Sequence, residues 1–551
     1  MIPGRVLVLV CFLCFSAPTA FAGTSQAIDQ DISPTELKGY FPANTPANPS
    51  LDDIVHQLYQ ENNFLPLWIQ RNGQRNKAAT IIKILADSWT EGLHPEDYLL
   101  PSIHSLWYRT SPQALAQLDI LLTKGLARYT SDIQGGRINP CMLNPQLFAA
   151  ALGKKVNIHQ LLQQAVAASD LAGFMKNLLP AHNEYRLLKE ALSRYRNIAS
   201  ASTWSPIAYG PVLRPGMKDS RVPSIIKRLQ AGGDLPDTII PTMQYTEETA
   251  AGIVSFQKRF NLAADGVVGD KTLAALNISP NSLIKRILIN LERWRWLPHK
   301  LQGMHIFVNI ASFQLTAFND NNPPLHMPVI VGKVYNKTPV FSDLMRYIVF
   351  NPYWNIPLSI AAEEMVPSQI ENPDYLTEHN IKIFKGWDAS SPAIDPDTLD
   401  WVNLGNKIRN YRLRQEPGPG NALGRLKFIF PNKYNIYLHD TPTQNLFNRH
   451  QRAFSHGCIR VSDPEKLALY LLQGNRQQWN VENIQQQLGT GKRKVVVLDN
   501  PVPVHILYRT VYVDPQTHAV HFYPDIYGRD SELLSSFFTE ANERICLYPP
   551  Y

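Results

Sequence analysis

The hydrophobic pattern of this 551-residue chain changes its period close to Pro298. Before that point, segments such as 113–129 and 184–195 place apolar residues three and four positions apart, which is typical of amphipathic helices. After it, stretches such as 305–318 and 502–513 are rich in β-branched and aromatic residues, which indicates strands. We therefore expect a helical N-terminal half followed by a mostly β C-terminal region.

The length and the breaks in the pattern predict a multidomain protein. A run of proline and glycine at 209–216 is typical of a domain boundary. The fold class that we expect is an α-helical scaffold, a small three-helix module and an α+β, mostly β domain with an inserted lid. The predicted segments are a signal peptide (1–22), a flexible lead-in (23–50), the scaffold (51–208), the module (209–280), a helical linker (281–302), the mostly β domain (303–500) with its insertion (358–424), and C-terminal strands and a tail (501–551).

The N-terminus has the three parts of a secretory signal peptide. Arg5 precedes an apolar run at 6–15, and Ala20-Phe21-Ala22 provides an Ala-x-Ala cleavage site. The apolar run is short for a membrane span. We therefore expect cleavage near Ala22, with an uncleaved anchor as the alternative.

Composition limits the partners and the state of the thiols. The formal net charge is +7, and no dense Lys/Arg block is interleaved with aromatic residues, so we expect no nucleic-acid partner. Two of the five cysteines lie in the predicted leader, and cleavage leaves Cys141, Cys458 and Cys546. An odd number in an exported protein leaves at least one free thiol or an intermolecular bond. A bond between Cys141 and Cys546 is one arrangement that the sequence allows.

A short three-helix unit follows the proline- and glycine-rich boundary. Two helical runs, at 222–229 and 247–260, precede the turn Asp-Gly-Val-Val-Gly-Asp-Lys-Thr at 265–272 and a third short helix. Asp270 or Thr272 is in position to cap that last helix. The unit resembles the peptidoglycan-binding module found beside many cell-wall enzymes. The sequence leaves open whether it binds glycan or serves as a spacer.

The predicted β pattern is interrupted between residues 358 and 424. Within this insertion, 359–365 has a helical pattern and 414–420, Arg-Gln-Glu-Pro-Gly-Pro-Gly, is predicted as a loop. Strands resume at 426–430 and 436–439. Long insertions in a compact domain are often functional, and so we interpret this one as a lid over the substrate. A family-specific decoration is the alternative.

One cysteine stands in a context suited to nucleophilic catalysis. The run Ser-His-Gly-Cys-Ile-Arg occupies 455–460, and His439 ends a predicted strand upstream. A thiol attacks carbonyls as the thiolate, and a nearby imidazole can take its proton. Gly457 lets the backbone approach a substrate, so that amides around Cys458 can bind an oxyanion. Because 462–465 has the residues of a helix start, we predict that Cys458 lies on a strand-to-helix connection.

Other interpretations use the same residues. Cys458, His456, His439 and His450 carry the thiol and imidazole groups that bind zinc, although no paired Cys-x-x-Cys or His-Glu-x-x-His accompanies them. The chain can instead be a wall-binding scaffold without activity. A buried structural cysteine is the simplest interpretation, but it does not account for the glycine and the two histidines near Cys458.

A histidine followed, after a gap, by Ser-His-Gly-Cys resembles the catalytic motif of L,D-transpeptidases with a YkuD-type domain. The resemblance extends over about 303–493. The upstream helices, the insertion and the tail at 501–530 are similar to those of the larger YcbB-type members. Many members have asparagine at the position of Arg460, and arginine is common in the larger subgroup.

The resemblance implies a role for each residue of the motif. Cys458 is the expected nucleophile, and His439 is the expected general base and acid, oriented by a backbone carbonyl. Asp440 follows His439 on a strand, so its carboxylate should miss the imidazole. Tyr437 is expected to line the site, and Arg460 either contacts a substrate carboxylate or holds the loop. Expected site support comes from Ser455, His456 and Gly457, with the amides of Gly457 and Cys458, and that of His456 as a further candidate, as oxyanion donors.

The resemblance also implies the reaction and the partners. The cysteine attacks the third residue of a peptidoglycan tetrapeptide stem and releases D-alanine. An amine of another stem then gives a 3→3 cross-link, whereas water gives L,D-carboxypeptidase activity. No metal or organic cofactor is needed. The expected partners are peptidoglycan stem peptides and glycan strands, carbapenem β-lactams as inhibitors, and other cell-wall synthesis proteins, in the periplasm. The diamino acid and the acceptor amine stay open.

Overall fold

The computed structural model describes residues 32–41, 50–69, 75–140, 156–201, 204–320, 322–388 and 390–537. The predicted signal peptide and the predicted bond between Cys141 and Cys546 lie outside these ranges and stay predictions. The described part of the predicted flexible lead-in contains a helix, Pro34–Lys38 (α1), whose Leu37 is fully buried. For this part the prediction is wrong, because a capping box between Ser33 and Glu36 starts a helix.

The N-terminal half of the described chain is helical, as predicted. Its helices after α1 are Leu51–Glu61 (α2), Asn76–Asp87 (α3), Leu100–Leu106 (α4), Pro112–Gly135 (α5), Ile158–Ala167 (α6), Leu171–Asn177 (α7) and Asn183–Ala201 (α8). The long helix α5 is central, since α1, α2, α3, α4 and α6 all pack against it. Its buried Asp119 accepts backbone hydrogen bonds from Leu67, Trp68 and Ile69, which fixes the segment before α3.

Three helices form the small module: Val222–Gly232 (α9), Glu247–Arg259 (α10) and Asp270–Leu276 (α11). The side-chain amide of Gln257 donates to Asp265 Oδ1 at 2.9 Å and to Thr272 Oγ1 at 3.1 Å, which holds the turn before α11. Gly269 occupies the N-cap position without a side-chain bond. The expectation that Asp270 or Thr272 caps this helix is wrong, because the Thr272 hydroxyl is used inside the turn.

The predicted helical linker contains a central helix of the molecule, Pro280–Arg295 (α12). Glu292 and Arg295 form an ion pair at 2.8 Å whose side chains are fully buried. Arg295 also donates to the Glu91 carbonyl, and Glu292 accepts from the Ile138 N–H at 2.8 Å. The helix packs along α8 as well. A linker is therefore the wrong description, because scaffold residues close over this helix.

The chain beyond α12 is mostly β, as the change of period predicts. Its strands are His305–Asn309 (β1), Gln314–Asn319 (β2), Asn322–Gly332 (β3), Phe341–Phe350 (β4), Trp354–Asn355 (β5), Ile381–Lys385 (β6), Ala393–Ile394 (β7), Tyr411–Gln415 (β8), Leu426–Ile429 (β9), Leu438–His439 (β10), Ala453–Ser455 (β11), Ile459–Val461 (β12), Lys494–Leu507 (β13), Val511–Val513 (β14) and Val520–Phe522 (β15).

The main sheet joins nine strands of the described residues in the order β11-β3-β12-β10-β9-β4-β13-β1-β2. An additional pairing of β2 with β3 closes eight of these strands into a ring. Pairs β1–β13, β10–β12 and β3–β11 are parallel, and the other pairs are antiparallel. Strand β10, which carries His439, thus lies between β9 and β12. Two further helices, Pro464–Leu472 (α16) and Val481–Gly489 (α17), lie between strands β12 and β13.

The insertion between β4 and β9 is a small unit with its own sheet. Strands β5, β8, β6 and β7 pair in that order, beside a helical run and buried residues such as Ile383 and Leu413. The predicted loop at 414–420 is wrong in its first two residues, since Arg414 and Gln415 belong to β8. The helical parts are Leu358–Ile360 (α13), the π-helical turn Ala361–Met365, Val366–Glu371 (α14) and Tyr375–Glu378 (α15).

After the sheet, the C-terminal segment packs against α12. Strands β14 and β15 form a hairpin, and Arg529–Phe537 (α18) packs against α12. Asp530 of α18 forms an ion pair with Arg293 of α12 at 2.7 Å. Among the described helices, none has the length and apolar character that crossing a membrane requires.

Candidate active site

Cys458 lies in a turn between two short strands of the main sheet. Strand β11 ends at Ser455 and β12 begins at Ile459. The predicted strand-to-helix connection is wrong, because the short strand β12 lies between Cys458 and helix α16. Strand β12 runs parallel to β10, which places Arg460 opposite His439. The fold therefore brings the upstream histidine beside the strand that follows the cysteine.

Hydrogen bonds from two side chains hold the Cys458 turn. Ser455 Oγ donates to Cys458 O at 2.5 Å and accepts from the Gly457 N–H at 3.1 Å. Thr338 Oγ1 donates to Gly457 O at 2.8 Å. Gly457 has a φ of +113°, in the region that only glycine adopts without strain. Ser455 and Gly457 are therefore both needed for the shape of this turn.

The amides of the turn are not equally available to an oxyanion. The Gly457 N–H already donates to Ser455 Oγ at 3.1 Å, so its role as an oxyanion donor stays a prediction. Within the described part of the chain, the amides of His456 and Cys458 donate no hydrogen bond. These two N–H groups are the remaining candidates for oxyanion binding.

A second set of hydrogen bonds fixes Thr338. Its Oγ1 accepts from the Gly332 N–H at 2.9 Å, and its own N–H donates to the Tyr527 hydroxyl at 3.3 Å. Tyr527 donates to Gly332 O at 2.5 Å, and Arg529 donates to Thr338 O at 2.9 Å. The C-terminal segment thus braces the loop that supports Gly457. From sequence, this segment is predicted only as strands and a tail, and no local pattern links it to the cysteine.

His439 is held by the carbonyl of the next residue. Its Nδ1 donates to Asp440 O at 2.6 Å, which leaves Nε2 as the proton acceptor. The Asp440 carboxylate accepts instead from the N–H groups of Arg425 at 2.8 Å and Thr441 at 2.7 Å. The structure thus shows a carbonyl contact of the kind that the resemblance implies. It also shows the carboxylate directed away from the imidazole, as strand geometry predicts.

Burial sets the charge of the thiol and the imidazole. His439 is 5% exposed, and burial, together with the cation of Arg460, lowers its pKa to about 3. Burial raises the pKa of the Cys458 thiol, against the opposing effects of the Tyr437 contact and of the Lys427 and Arg460 charges. At neutral pH the two groups are therefore a thiol and a neutral imidazole, not an ion pair.

Tyr437 and Lys427 complete the face that surrounds the thiol. The Tyr437 ring packs edge-on against His439, with ring centroids 5.6 Å apart. Lys427 Nζ lies 3.6 Å from the centre of the Tyr437 ring, a cation–π contact. Tyr437 is predicted from the sequence to line the site, whereas Lys427 is missed. The sequence feature that could have indicated Lys427 is that it is the one charged residue in the predicted strand 426–430.

The insertion touches the motif through a contact between Glu364 and His456. Glu364, in the π-helical turn Ala361–Met365, lies 2.8 Å from Nε2 of His456. Isolated π-helical turns often occur at functional sites. His450, a member of the zinc alternative, is exposed. Over the described ranges, no group of three His, Cys, Asp or Glu side chains is placed to hold a metal ion.

Family comparisons match three parts of the chain. Residues 303–497 match the YkuD family, described as "L,D-transpeptidase catalytic domain". Residues 53–192 match a "Scaffold domain", and residues 218–276 match a "Putative peptidoglycan binding domain". Residues 303–497 are therefore a YkuD-type L,D-transpeptidase catalytic domain, preceded by a helical scaffold and by a module that matches a putative peptidoglycan-binding domain.

Individual proteins are similar to parts of the chain. A Haemophilus influenzae protein described as "Putative L,D-transpeptidase" is 36% identical over 253 residues, which are 46% of this chain and 50% of that protein. The match thus spans half the length of this relative. Two solved structures match with TM-scores of 0.15, which are too low to support any conclusion about this chain. They are an L,D-transpeptidase from Xylanimonas cellulosilytica (14% identity, 54% of this chain and 99% of that chain) and a fused Zn-dependent amidase/peptidase/peptidoglycan-binding domain-containing protein from Clostridium acetobutylicum (12% identity, 54% and 100%).

Proposed function

We propose that this protein is a peptidoglycan L,D-transpeptidase that forms 3→3 cross-links through a thioester on Cys458. The observation that carries this proposal is a buried His439, fixed by a backbone carbonyl, on the strand paired with the one that follows the glycine-shaped turn of the thiol. In acyl transfer through a cysteine thiol, a neutral imidazole can take the thiol proton and backbone amides can bind the oxyanion. The matching catalytic domain supports peptidoglycan as the substrate.

The first acyl transfer forms the thioester. Nε2 of His439 takes the thiol proton as Cys458 Sγ attacks the carbonyl carbon of the third stem residue. The amides of His456 and Cys458 bind the oxyanion that results. The C–N bond then breaks, D-alanine leaves with the proton that His439 returns to its nitrogen, and the acyl group stays on sulfur.

The second acyl transfer restores the enzyme. The side-chain amine of another stem attacks the thioester carbonyl, and His439 takes the proton of that amine. The C–S bond breaks, an amide bond forms between the two third residues, and Cys458 Sγ takes the proton back. Water in place of the amine gives an L,D-carboxypeptidase instead. Neither transfer calls for a metal or an organic cofactor.

The insertion acts in this proposal as a lid over the bound donor. Glu364 and His456 join the lid to the turn that carries the nucleophile. Because both side chains are partly exposed, their contact is weak and can open at low cost. Closure over the thiol would exclude water, which favours the amine as acceptor over hydrolysis.

Location and inhibitors belong to the same proposal. Export to the periplasm follows from the predicted signal peptide, and attachment to glycan strands is supported by the module matched at 218–276. Carbapenems are expected to acylate Cys458, because attack on their strained carbonyl parallels the first acyl transfer. A stable carbapenem adduct on wild-type protein, absent in Cys458→Ala, is the expected result by intact-mass measurement.

Mass spectrometry of the reaction products tests the function directly. Purified mature protein is mixed with disaccharide-tetrapeptide, with Cys458→Ala as the control. A Cys458-dependent dimer that has lost one D-alanine supports the transpeptidase. Monomeric tripeptide alone would make the protein a carboxypeptidase, and bound substrate without product would indicate a wall-binding scaffold. His439→Gln is expected to lower the rate by about 10²–10⁴-fold, the usual contribution of a general base.

A further inference from the structure

Two cations occupy the same face of the main sheet as the thiol. Lys427 on β9 and Arg460 on β12 each lie in register opposite His439 on β10. Side chains in register on neighbouring strands point to one face, so the three residues form a row across three strands. Cys458 lies two residues before Arg460 and therefore extends this row toward the turn.

These cations have no counter-charge in the part of the chain that the structure describes. No Asp or Glu of the described ranges forms an ion pair with Lys427 or Arg460. Nε of Arg460 is buried and has no hydrogen-bond partner among the described residues. The Nε groups of Arg293 and Arg412 are unpartnered among the described residues in the same way, so the open N–H of Arg460 is informative because it lies beside the thiol.

The surroundings of both groups favour an anion. Burial lowers the pKa of Lys427 and of Arg460, and a charge on the Cys458 sulfur would raise both. Partly desolvated cations are stabilised by a bound anion, and a guanidinium can hold a carboxylate through two parallel hydrogen bonds. The cation–π contact with Tyr437 allows Lys427 to be explained as a packing residue. The same contact does not explain why the buried Nε of Arg460 has no hydrogen-bond partner among the described residues.

We propose that Lys427 and Arg460 form a carboxylate subsite that binds a carboxylate of the acyl donor beside the scissile amide. This inference rests on the proposed function for the identity of the donor. A tetrapeptide donor has two candidates, the free carboxylate of the leaving D-alanine and the carboxylate on the diamino acid side chain. The leaving residue is bonded to the attacked carbonyl, so its carboxylate reaches cations that flank the thiol. The subsite thus selects stems that end in a free carboxylate at residue four.

A first test needs no peptidoglycan. Cys458 is alkylated with iodoacetate and with iodoacetamide, which form the same C–S bond with loss of iodide but differ in charge. A change in thiolate fraction scales both rates, so the ratio of the iodoacetate rate to the iodoacetamide rate reports the attraction of an anion. We expect this ratio to fall about threefold or more in Lys427→Met and Arg460→Met, since each removes one nearby positive charge.

Matched variants separate the subsite from general charge and from misfolding. Lys300→Met removes an exposed lysine outside the sheet and should keep the wild-type ratio. Lys427→Arg and Arg460→Lys retain the charge and should also keep a ratio close to wild type. Thermal unfolding midpoints identify any variant that fails to fold. A wild-type ratio in folded Lys427→Met and Arg460→Met would overturn the proposal.

A second test uses the wild-type protein alone. Tetrapeptide donors with a free terminus, with an amidated D-alanine or with an amidated diamino acid side chain are compared as protectants of Cys458 against iodoacetamide. Loss of protection with the amidated D-alanine is the expected result. If protection is lost only when the diamino acid side chain is amidated, the subsite is supported with the side-chain carboxylate as its ligand. Equal protection by all three donors overturns the subsite. Selective protection without cross-linked product would count against the proposed function and not against the subsite.

Discussion

Gly457 and Asp440 each contribute through the backbone, one by its φ angle and the other by its carbonyl. At Gly457 an added Cβ would meet Ile436 Cδ1 at 3.5 Å and Asn336 O at 3.8 Å, which are ordinary contacts. Space therefore does not exclude a side chain there. The obstacle is the φ of +113°, which costs a non-glycine residue about 1–3 kcal/mol.

Gly457→Ala should accordingly destabilise the protein and misplace the thiol. We expect the free energy of unfolding to fall by about 1–3 kcal/mol and kcat to fall more than KM rises, because the turn carries the proposed nucleophile. Urea denaturation and steady-state kinetics measure the two effects. Gly474→Ala is the matched control, since this exposed glycine has open space around its Cβ position. An unchanged kcat in Gly457→Ala would show that the turn tolerates a different backbone.

The neutral state of His439 predicts a pH dependence of stability. Its pKa of about 3 in the folded protein lies below the ordinary value of 6.5, so the unfolded chain binds more protons between these two values. The stability linked to this group is therefore fully present above pH 6.5 and is lost as the pH falls toward 3. When the pH falls from 7 to 4, the free energy of unfolding should decrease by about 2–3 kcal/mol less in His439→Gln than in the wild-type protein.

Denaturation curves at both pH values check this expectation. His104→Gln, a change at an exposed histidine of the scaffold, should follow the wild-type pH profile. If His439→Gln also follows the wild-type profile, the imidazole ionises in the folded protein as it does in water. That outcome would remove the argument for a neutral base at physiological pH.

At the scale of elements, the Cys458 turn depends on a loop between β3 and β4. Thr338 is fully buried, and its hydroxyl links Gly332 to Gly457. Thr338→Val keeps the shape of the side chain but leaves a buried N–H and a buried carbonyl without this partner. An unsatisfied buried group costs about 1–3 kcal/mol. We expect lower stability and a lower kcat, both measured on the purified variant.

Conservative changes test whether Thr338 acts on the turn. Thr338→Ser keeps the hydroxyl and should restore most of kcat. Tyr527→Phe removes the hydroxyl that Thr338 donates to, and it should lower kcat in the same direction as Thr338→Val. A Thr338→Val variant with reduced stability but wild-type kcat would mean that the loop is structural only.

The insertion that we propose as a lid can be removed where its two ends meet. Asn351 donates to Arg425 O at 2.9 Å, and Asn421 Nδ2 donates to Pro352 O at 3.2 Å, so the two ends of the insertion meet. The lid also has a hydrophobic cluster separate from that of the main sheet. Replacing 358–424, or the closer-fitting 354–420, by a short Gly-Ser linker should spare the main sheet and lower turnover. Full turnover by a folded deletion variant would contradict a lid function.

A milder change tests the lid contact. Glu364→Gln removes the charge that faces His456, and we expect more hydrolysis relative to cross-linking because the lid closes less firmly. The ratio of tripeptide to dimer in the product mixture measures this effect. Glu371→Gln, at another exposed acid of the lid, is the control. An unchanged ratio would restrict the role of this contact to packing.

At the scale of the whole molecule, α12 joins the scaffold to the sheet. Glu292 and Arg295 are fully buried, and Glu292→Gln would leave Arg295 in the core without its counter-charge. Breaking a buried pair on one side costs about 3–5 kcal/mol. Glu190→Gln breaks the exposed pair with Arg186 and should cost about 1 kcal/mol or less. Thermal unfolding of both variants measures the difference, and equal losses would show that Arg295 finds other partners.

Local patterns allowed much of this architecture to be predicted. The helices of the scaffold and the strands of the sheet follow from periods of 3.6 and 2, which are set by residues close together in the chain. The strand of His439 and the cysteine motif were recognisable for the same reason. The role of α12 and the sheet inside the lid were not predictable, because they depend on which distant segments pack together.

Residues close together in the chain are enough to indicate the order of helical and β regions, the resemblance of the motif to L,D-transpeptidases and the close backbone approach that Gly457 allows. Three features follow only from the folded chain: Lys427 and Arg460 flank His439, Thr338 and Tyr527 brace the turn, and Glu364 reaches His456. The physical reason is that strand register, burial and charge arise from contacts between residues far apart in the chain, and no local pattern encodes those contacts.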